Sequence, residues 1–195
     1  FYDESLDQAL MERMRLEISS LERELENSLF NHDSLTGAIT RFGILPTLRE
    51  QQELVKRHAH SCYVAMMDLD HFKAINDLYG HAAGDKVLAA VVRYLIAHLR
   101  PYDKVFRYGG EEFLLCLPYT ELTACHDRVN ELKEGIAALE IDIEAKEPVH
   151  ITASFGVAPL ASDIPVEQSI DCADKALYAA KAAGRNRVQV WSPST

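Results

Sequence analysis

A chain of 195 residues, 48% apolar and 26% charged, has the composition of a globular protein with one domain of ordinary size plus an extension. Its formal charge of −10 excludes a broad basic face for a nucleic-acid polymer or an anionic membrane, but not a phosphate ligand held locally by a metal and a few cations. Cys62, Cys116, Cys125 and Cys172 form no C-x-x-C pair, the histidines show no zinc-ligand spacing, and Arg93 breaks the best candidate for a membrane span.

Residues 1–32 predict a strongly charged helix. Met11, Met14, Ile18, Leu21 and Leu25 recur three and four apart, the a/d spacing of a coiled coil, with Leu10 and Leu29 widening the stripe. A parallel dimerising helix is expected here; the alternative is a single amphipathic helix lying on the domain. At Asp33-Ser34-Leu35-Thr36-Gly37 the pattern breaks, so 33–195 is taken as the folded domain, with Asp33 or Ser34 capping a helix over about 41–58. Cys62 to Met67 is an apolar run suited to a buried strand and ends in Asp68-Leu69-Asp70. A short helix starts at Phe72, and a longer one runs from Gly84-Asp85 to Leu99, stopped by Arg100-Pro101.

Arg107-Tyr108-Gly109-Gly110-Glu111-Glu112-Phe113 stands between apolar, β-prone flanks and predicts a tight hairpin in which glycine accepts positive φ and lets a ligand approach the backbone. Two carboxylates leave that turn. A hairpin has no need of them, whereas Mg²⁺ takes one or two carboxylates plus phosphate oxygens. A helix follows over about 121–139, then a strand over 150–158, a helix over 166–183 ended by Gly184, and a strand over 188–191. The order β-α-α-β-β-α-β-α-β predicts an α+β fold: a ferredoxin-like sandwich whose mostly antiparallel central sheet is flanked by helices and preceded by the long N-terminal helix. Such a fold sets the strand end at Asp68 beside the hairpin and brings Asp68, Glu111 and Glu112 together. Asp70 either caps the helix at Phe72 or ligates; Asp68, nearer the sheet, is the better metal candidate.

Several ordered pieces now resemble the GGDEF family of diguanylate cyclases, in its GGEEF variant. They are 33–37 with Arg41, 68–77, Gly80-His81, Gly84-Asp85, the stretch 109–113, Ser154-Phe155-Gly156-Val157-Ala158 and Tyr178 to Asn186. The resemblance implies condensation of two GTP into cyclic di-GMP with release of pyrophosphate. It implies that Asp68, the carbonyl of Leu69 and Glu111 hold Mg²⁺, or Mn²⁺ in its place, with Glu112 nearby. Glu111 matches the family's proposed proton acceptor, with metal binding its firmer role. Asn76 and Asp85 would read the guanine edge, and Lys73, Lys181 and Arg185 would contact phosphates, Lys73 counted also with the catalytic groups.

His81 would contact the nucleotide or order its loop, Phe72 would line the site or simply pack, and Gly109 and Gly110 would admit the substrate. Lys181 and Arg185, four apart, are expected on one helix face. Arg100 and Asp103 resemble the family's R-x-x-D inhibitory site for cyclic di-GMP. A reaction needing two facing domains gives the N-terminal helix a purpose as a homodimer clamp. Departures are Ala38 and Thr40, where the family usually has Leu and Asn, in the region that couples the linker to the domain. The expected setting is the cytoplasm, within a larger sensor protein of which a chain opening on Phe1 would be a fragment, without direct membrane insertion. The competing reading is a catalytically silent module that senses GTP or cyclic di-GMP.

Overall fold

The computed structural model describes residue 11 and residues 13–19, 31–58 and 60–192. Two compact units divide the chain, Phe1–His32 and Asp33–Thr195. In the first, Met11, residues 13–19 and Asn31 are helical and His32 lies in a β-bridge; residues 1–10, 12 and 20–30 of the dimerising helix expected over 1–32 lie outside the described residues.

The second unit is built on a six-stranded sheet. Its elements run β1 (Ile39–Thr40), a 3-10 turn (Arg41–Gly43), α1 (Ile44–His58), β2 (Cys62–Leu69), α2 (Phe72–Tyr79), α3 (His81–His98), β3 (Lys104–Arg107), β4 (Glu112–Pro118), α4 (Leu122–Ala137), β5 (Ala153–Pro159), α5 (Val166–Ala182) and β6 (Val188–Val190). The strand order is β1-β3-β4-β2-β5-β6. β3–β4, β4–β2 and β2–β5 are antiparallel, while the outer pairs β1–β3 and β5–β6 are parallel. This is the α+β, mostly antiparallel sheet flanked by helices that the element order predicts.

β2 is central because both its faces are apolar, and a strand covered on both sides cannot alternate polar with apolar. Ala65, Met67 and Leu69 join Leu115, Phe155, Val91 and Val129 in one core, on the side of α2, α3 and α4. Val64 and Met66 join Leu114, Leu48, Ile170 and Leu177 in the other, on the side of α1 and α5. Successive strand residues alternate faces, so Asp68 continues the α5 face beyond Met66. α5 packs its backbone tightly against the sheet at Gly156, where a Cβ would stand 2.1 Å from both Ala173 O and Leu177 N.

The structure departs from the expectations at several edges. β1 is an added sixth strand, and the helix expected from Arg41 begins with a 3-10 turn and becomes α-helical only at Ile44. α3 starts at His81, so Gly84 and Asp85 lie inside it and Asp85 caps nothing; its N-cap is Gly80, at φ +85°. Asp33 caps no helix either. It accepts from Thr36 N–H (2.9 Å) and Thr36 Oγ1 (2.6 Å) in a turn that leads into β1. β5 begins at Ala153 rather than His150.

Because the atoms opposing a side chain at Gly156 are backbone, they cannot turn aside. Gly156→Ala is expected to cost about 3 kcal/mol and lower Tm by about 10 °C, read by thermal denaturation.

Candidate active site

The antiparallel register sets Asp68 directly opposite Glu112 on β4 and Ser154 on β5. Leu69, the last residue of β2, donates its N–H to the Glu111 carbonyl (3.4 Å). The strand end and the exit of the glycine turn therefore meet, as the sequence predicts. Asp68 is 8% exposed, and its Oδ2 lies 2.8 Å from Lys181 Nζ on α5. Burial, and next the Asp68 charge, push the Glu111 carboxyl above its usual range; Lys181 offsets part of this and Glu112 adds to it. Like charges crowded in this way call for a cation.

Among the described residues no three acidic, His or Cys side chains close a metal cage by themselves. Carboxylate and main-chain oxygens are hard ligands, and a hard divalent cation completes its coordination with water and phosphate oxygens. The donor set of Asp68, Glu111 and neighbouring main chain fits such an ion, with Glu112 beside it.

The turn itself differs from the expected tight hairpin. A four-residue connection, Tyr108 to Glu111, joins β3 to β4, with Tyr108 and Gly109 N–H both donating to Glu112 O (2.8 and 3.1 Å). Neither Gly109 nor Gly110 has positive φ. Space is what these glycines supply: a Cβ on Gly109 would stand 2.7 Å from Glu112 Oε2, and one on Gly110 would meet nothing within 4 Å.

Arg107, missed as a functional residue by the sequence reading, holds this turn. Its guanidinium donates to Gly109 O (3.3 Å) and Gly110 O (2.9 Å), and through Nη1 to both oxygens of Asp33 (2.9 and 3.0 Å). Burial alone would raise the Asp33 carboxyl, but hydrogen bonds from Thr36 and Arg107 hold it below its usual range. The start of the domain is thereby tied to the glycine turn. The only sequence cue was the position of Arg107 beside the glycines; its partner is 74 residues away.

The remaining candidates fall in two places. Lys73 and His81 are exposed, and Asn76 is half-buried with its Oδ1 over Gly84, 1.9 Å from where a Cβ would be. Asp85 is exposed one residue further along α3. The Phe72 side chain is 5% exposed and packs into the core against Gly84. Arg185 does not share a helix face with Lys181: α5 ends at Ala182, and Gly184, Arg185 and Asn186 have φ of +111°, +64° and +46°. Arg185 is exposed on that left-handed turn.

Arg100 and Asp103 lie apart from this group, between α3 and β3. Asp103 accepts from the Arg100 N–H (2.9 Å), and its Oδ2 is 3.3 Å from Arg128 Nε on α4. The Arg100 side chain is exposed, while Arg128 Nε is buried with no acceptor in hydrogen-bonding geometry. The contact of Asp103 with Arg128 was not anticipated from the sequence.

The family model described as diguanylate cyclase, GGDEF domain, matches residues 30–187. Diguanylate cyclase DgcP of Pseudomonas aeruginosa is 39% identical over 192 residues, which cover 94% of this chain and 28% of that protein. DgcM of Escherichia coli is 38% identical over 170 residues, covering 86% of this chain and 40% of its own length. The chain thus spans well under half the length of these curated relatives. Among solved structures, diguanylate cyclase SiaD of P. aeruginosa in complex with its activator SiaC superposes with TM-score 0.80 at 34% identity, over 97% of this chain and 74% of that one. The coiled coil and GGDEF domain of DgcB from Caulobacter crescentus, in complex with c-di-GMP, gives 0.83 at 27% identity, over 96% and 100%.

A carboxyl whose pKa is raised on folding binds its proton more tightly in the native state, so stability falls as pH rises from the ordinary value of 4.5 through the raised one. Glu111→Gln is expected to raise Tm by about 1–3 °C at pH 7, a gain that disappears below pH 4. Denaturation at the two pH values checks it; a variant less stable than wild type at pH 7 contradicts the crowding of charge described above.

Proposed function

The chain belongs to the GGDEF family of diguanylate cyclases, and on that premise we propose that it condenses two GTP into cyclic di-GMP, releasing pyrophosphate. The observation that carries this is the meeting of Asp68 and Glu111 at one point of the sheet. Asp68, the Leu69 carbonyl and Glu111 are assigned to Mg²⁺, for which Mn²⁺ can substitute, with Glu112 in support. When bound, the ion neutralises the triphosphate, polarises the α-phosphorus and lowers the pKa of the attacking 3′-hydroxyl. A carboxylate engaged as a ligand is a weak free base, so Glu111 acts chiefly by holding charge in place.

Asn76 and Asp85 are assigned to the guanine edge. An ionised Asp is acceptor-only and suits the N1–H and N2–H₂ donors that guanine presents and adenine lacks. Lys73, Lys181 and Arg185 are assigned to the phosphates, His81 to the nucleotide or its loop, and Gly109 and Gly110 to close backbone approach. Lys181 is already oriented by Asp68, at 2.8 Å. Each domain holds one GTP, so the 3′-hydroxyl of one nucleotide attacks the α-phosphorus of that in a second copy. A dimerising helix over 1–32 would raise the effective concentration of the second half-site.

Product inhibition is assigned to the turn at Arg100 and Asp103. Asp103 is committed to shaping that turn and to Arg128. Arg128 is committed in turn to Asp103 and, through Nη2, to His98 O (2.6 Å), so the exposed Arg100 is the group that would grip guanine N7 and O6.

Incubation with GTP and Mg²⁺ followed by chromatography is expected to yield cyclic di-GMP. Glu111→Ala should lower turnover about 100-fold or more, the ~3 kcal/mol expected for losing a metal ligand. Intact GTP after incubation with a folded, dimeric wild type would overturn the assignment. Arg100→Ala should leave the initial rate as it is and raise the cyclic di-GMP concentration that halves it about tenfold; unchanged inhibition would place the regulatory site elsewhere.

A further inference from the structure

Asp70 has no part in the assignments above. It sits two residues beyond Asp68, is 5% exposed, and resembles a second metal ligand on sequence alone. Its hydrogen bonds lead elsewhere. Asp70 Oδ1 accepts from Ser154 Oγ (2.7 Å), while Oδ2 accepts from Thr152 Oγ1 (2.6 Å) and from the Asn186 N–H (3.0 Å). Its own N–H donates to Thr152 O (2.8 Å). Both carboxylate oxygens are thus engaged from the protein side, and burial leaves little room for an ion to approach. Nor does Asp70 cap α2, which begins after His71 without a side-chain cap.

The Asn186 N–H belongs to the turn that follows α5, where Gly184, Arg185 and Asn186 are consecutively left-handed. Such a backbone is unfavourable for residues carrying a Cβ and persists where its surroundings fix it. Here the fixing comes from both ends and from the middle. Gly184 and Arg185 N–H return to Lys181 O (3.2 Å) and Ala180 O (3.1 Å), and Phe155 N–H takes Arg187 O (2.9 Å) as β6 begins. Asn186 N–H, between them, goes to Asp70. The end of β2 therefore holds the end of α5 twice, through the Asp68–Lys181 ion pair and through Asp70–Asn186.

We propose that Asp70 is a positioning residue that locks the 184–186 turn to the end of β2, so that Arg185 meets the triphosphate of a nucleotide bound at Asp68 and Glu111. This rests on the assignment of Arg185 to the phosphates. Asp70 then acts through geometry and not through its charge, and its contribution is spent on the phosphate chain rather than on guanine.

The test separates these roles. Asp70→Asn keeps an oxygen where Thr152 and Asn186 donate and places an NH₂ against the Ser154 hydroxyl, which can accept. It should retain kcat and the KM for GTP within about threefold of wild type. Asp70→Ala should raise the KM for GTP about tenfold while the affinity for GMP, by equilibrium dialysis with Mg²⁺, stays within about twofold. Adding Arg185→Ala to Asp70→Ala should raise KM no further, because the turn has already released that arginine. Amide exchange at Asn186 should quicken in Asp70→Ala and stay at the wild-type rate in Asp70→Asn. The proposal is overturned if Asp70→Asn is as impaired as Asp70→Ala, if GMP weakens as much as GTP, if the effects of Asp70→Ala and Arg185→Ala multiply, or if Asn186 exchange does not change. Should Asp70→Ala not fold, the Asp70→Asn arm still decides, since a ligand or charge role predicts its collapse. A wild type that makes no cyclic di-GMP refutes the activity alone; exchange and the comparison of GTP with GMP binding still judge the tie.

Discussion

Asp68 and Glu111 are brought together at a cost, and much of the domain exists to hold them there. The seven-rung pairing of β2 with β4 leaves Asp68 across from Glu112, with Glu111 one residue outside the ladder. None of these positions can relax without slipping the register, and a one-residue slip would exchange the side chains of β2 between two cores, each packed for the other set. Hydrophobic burial on two faces thus does electrostatic work at the strand's end. Burial, and next the Asp68 charge, raise the Glu111 carboxyl, and Lys181 relieves only part of this.

Around this point the polar groups divide between those left available and those already committed. Arg107 and Asp70 are committed: one ties the glycine turn to Asp33, the other ties the turn after α5 to β5. Lys73, His81, Asp85 and Arg185 are exposed. A buried donor or acceptor must be satisfied within the protein, so committed groups are poor candidates for ligand contact and good ones for geometry. The same distinction separates Asp103, locked to Arg100 N–H and facing Arg128, from the exposed Arg100 side chain.

What could be read from the sequence follows from how local each feature is. The apolar run before Asp68 and the glycines before Glu111 declare a strand end and a turn within a few residues, so the meeting of two carboxylates was legible. β1 was not, because Ile39–Thr40 is two residues long and owes its existence to pairing with Phe106 and Arg107. Asp85 looked like a cap because Gly84 looked like a boundary, yet Gly84 is inside α3 for lack of space under Asn76 and Phe72. Arg185 looked like a neighbour of Lys181 four along a helix, but the helix ends before it. Hydrogen bonds spanning 74, 84 and 116 residues, from Arg107 and to Asp70, have no signal in one chain read alone.

The glycines of the turn show why local rules can name the right residue for the wrong reason. Positive φ is the usual warrant for Gly-Gly between strands, and here it does not apply. Gly109 leaves room for the Glu112 carboxylate to fold back over the turn, and Gly110 faces open space. A Cβ at Gly110 would meet no atom beyond its chain neighbours within 4 Å, so packing gives no reason for glycine there. The proposed function supplies another reason: a substrate that comes closer to the backbone than a methyl group allows. The phosphate chain proposed beside Asp68 and Glu111 is an occupant of that kind, and it would make the open space at Gly110 as much a part of the site as the carboxylates that follow it.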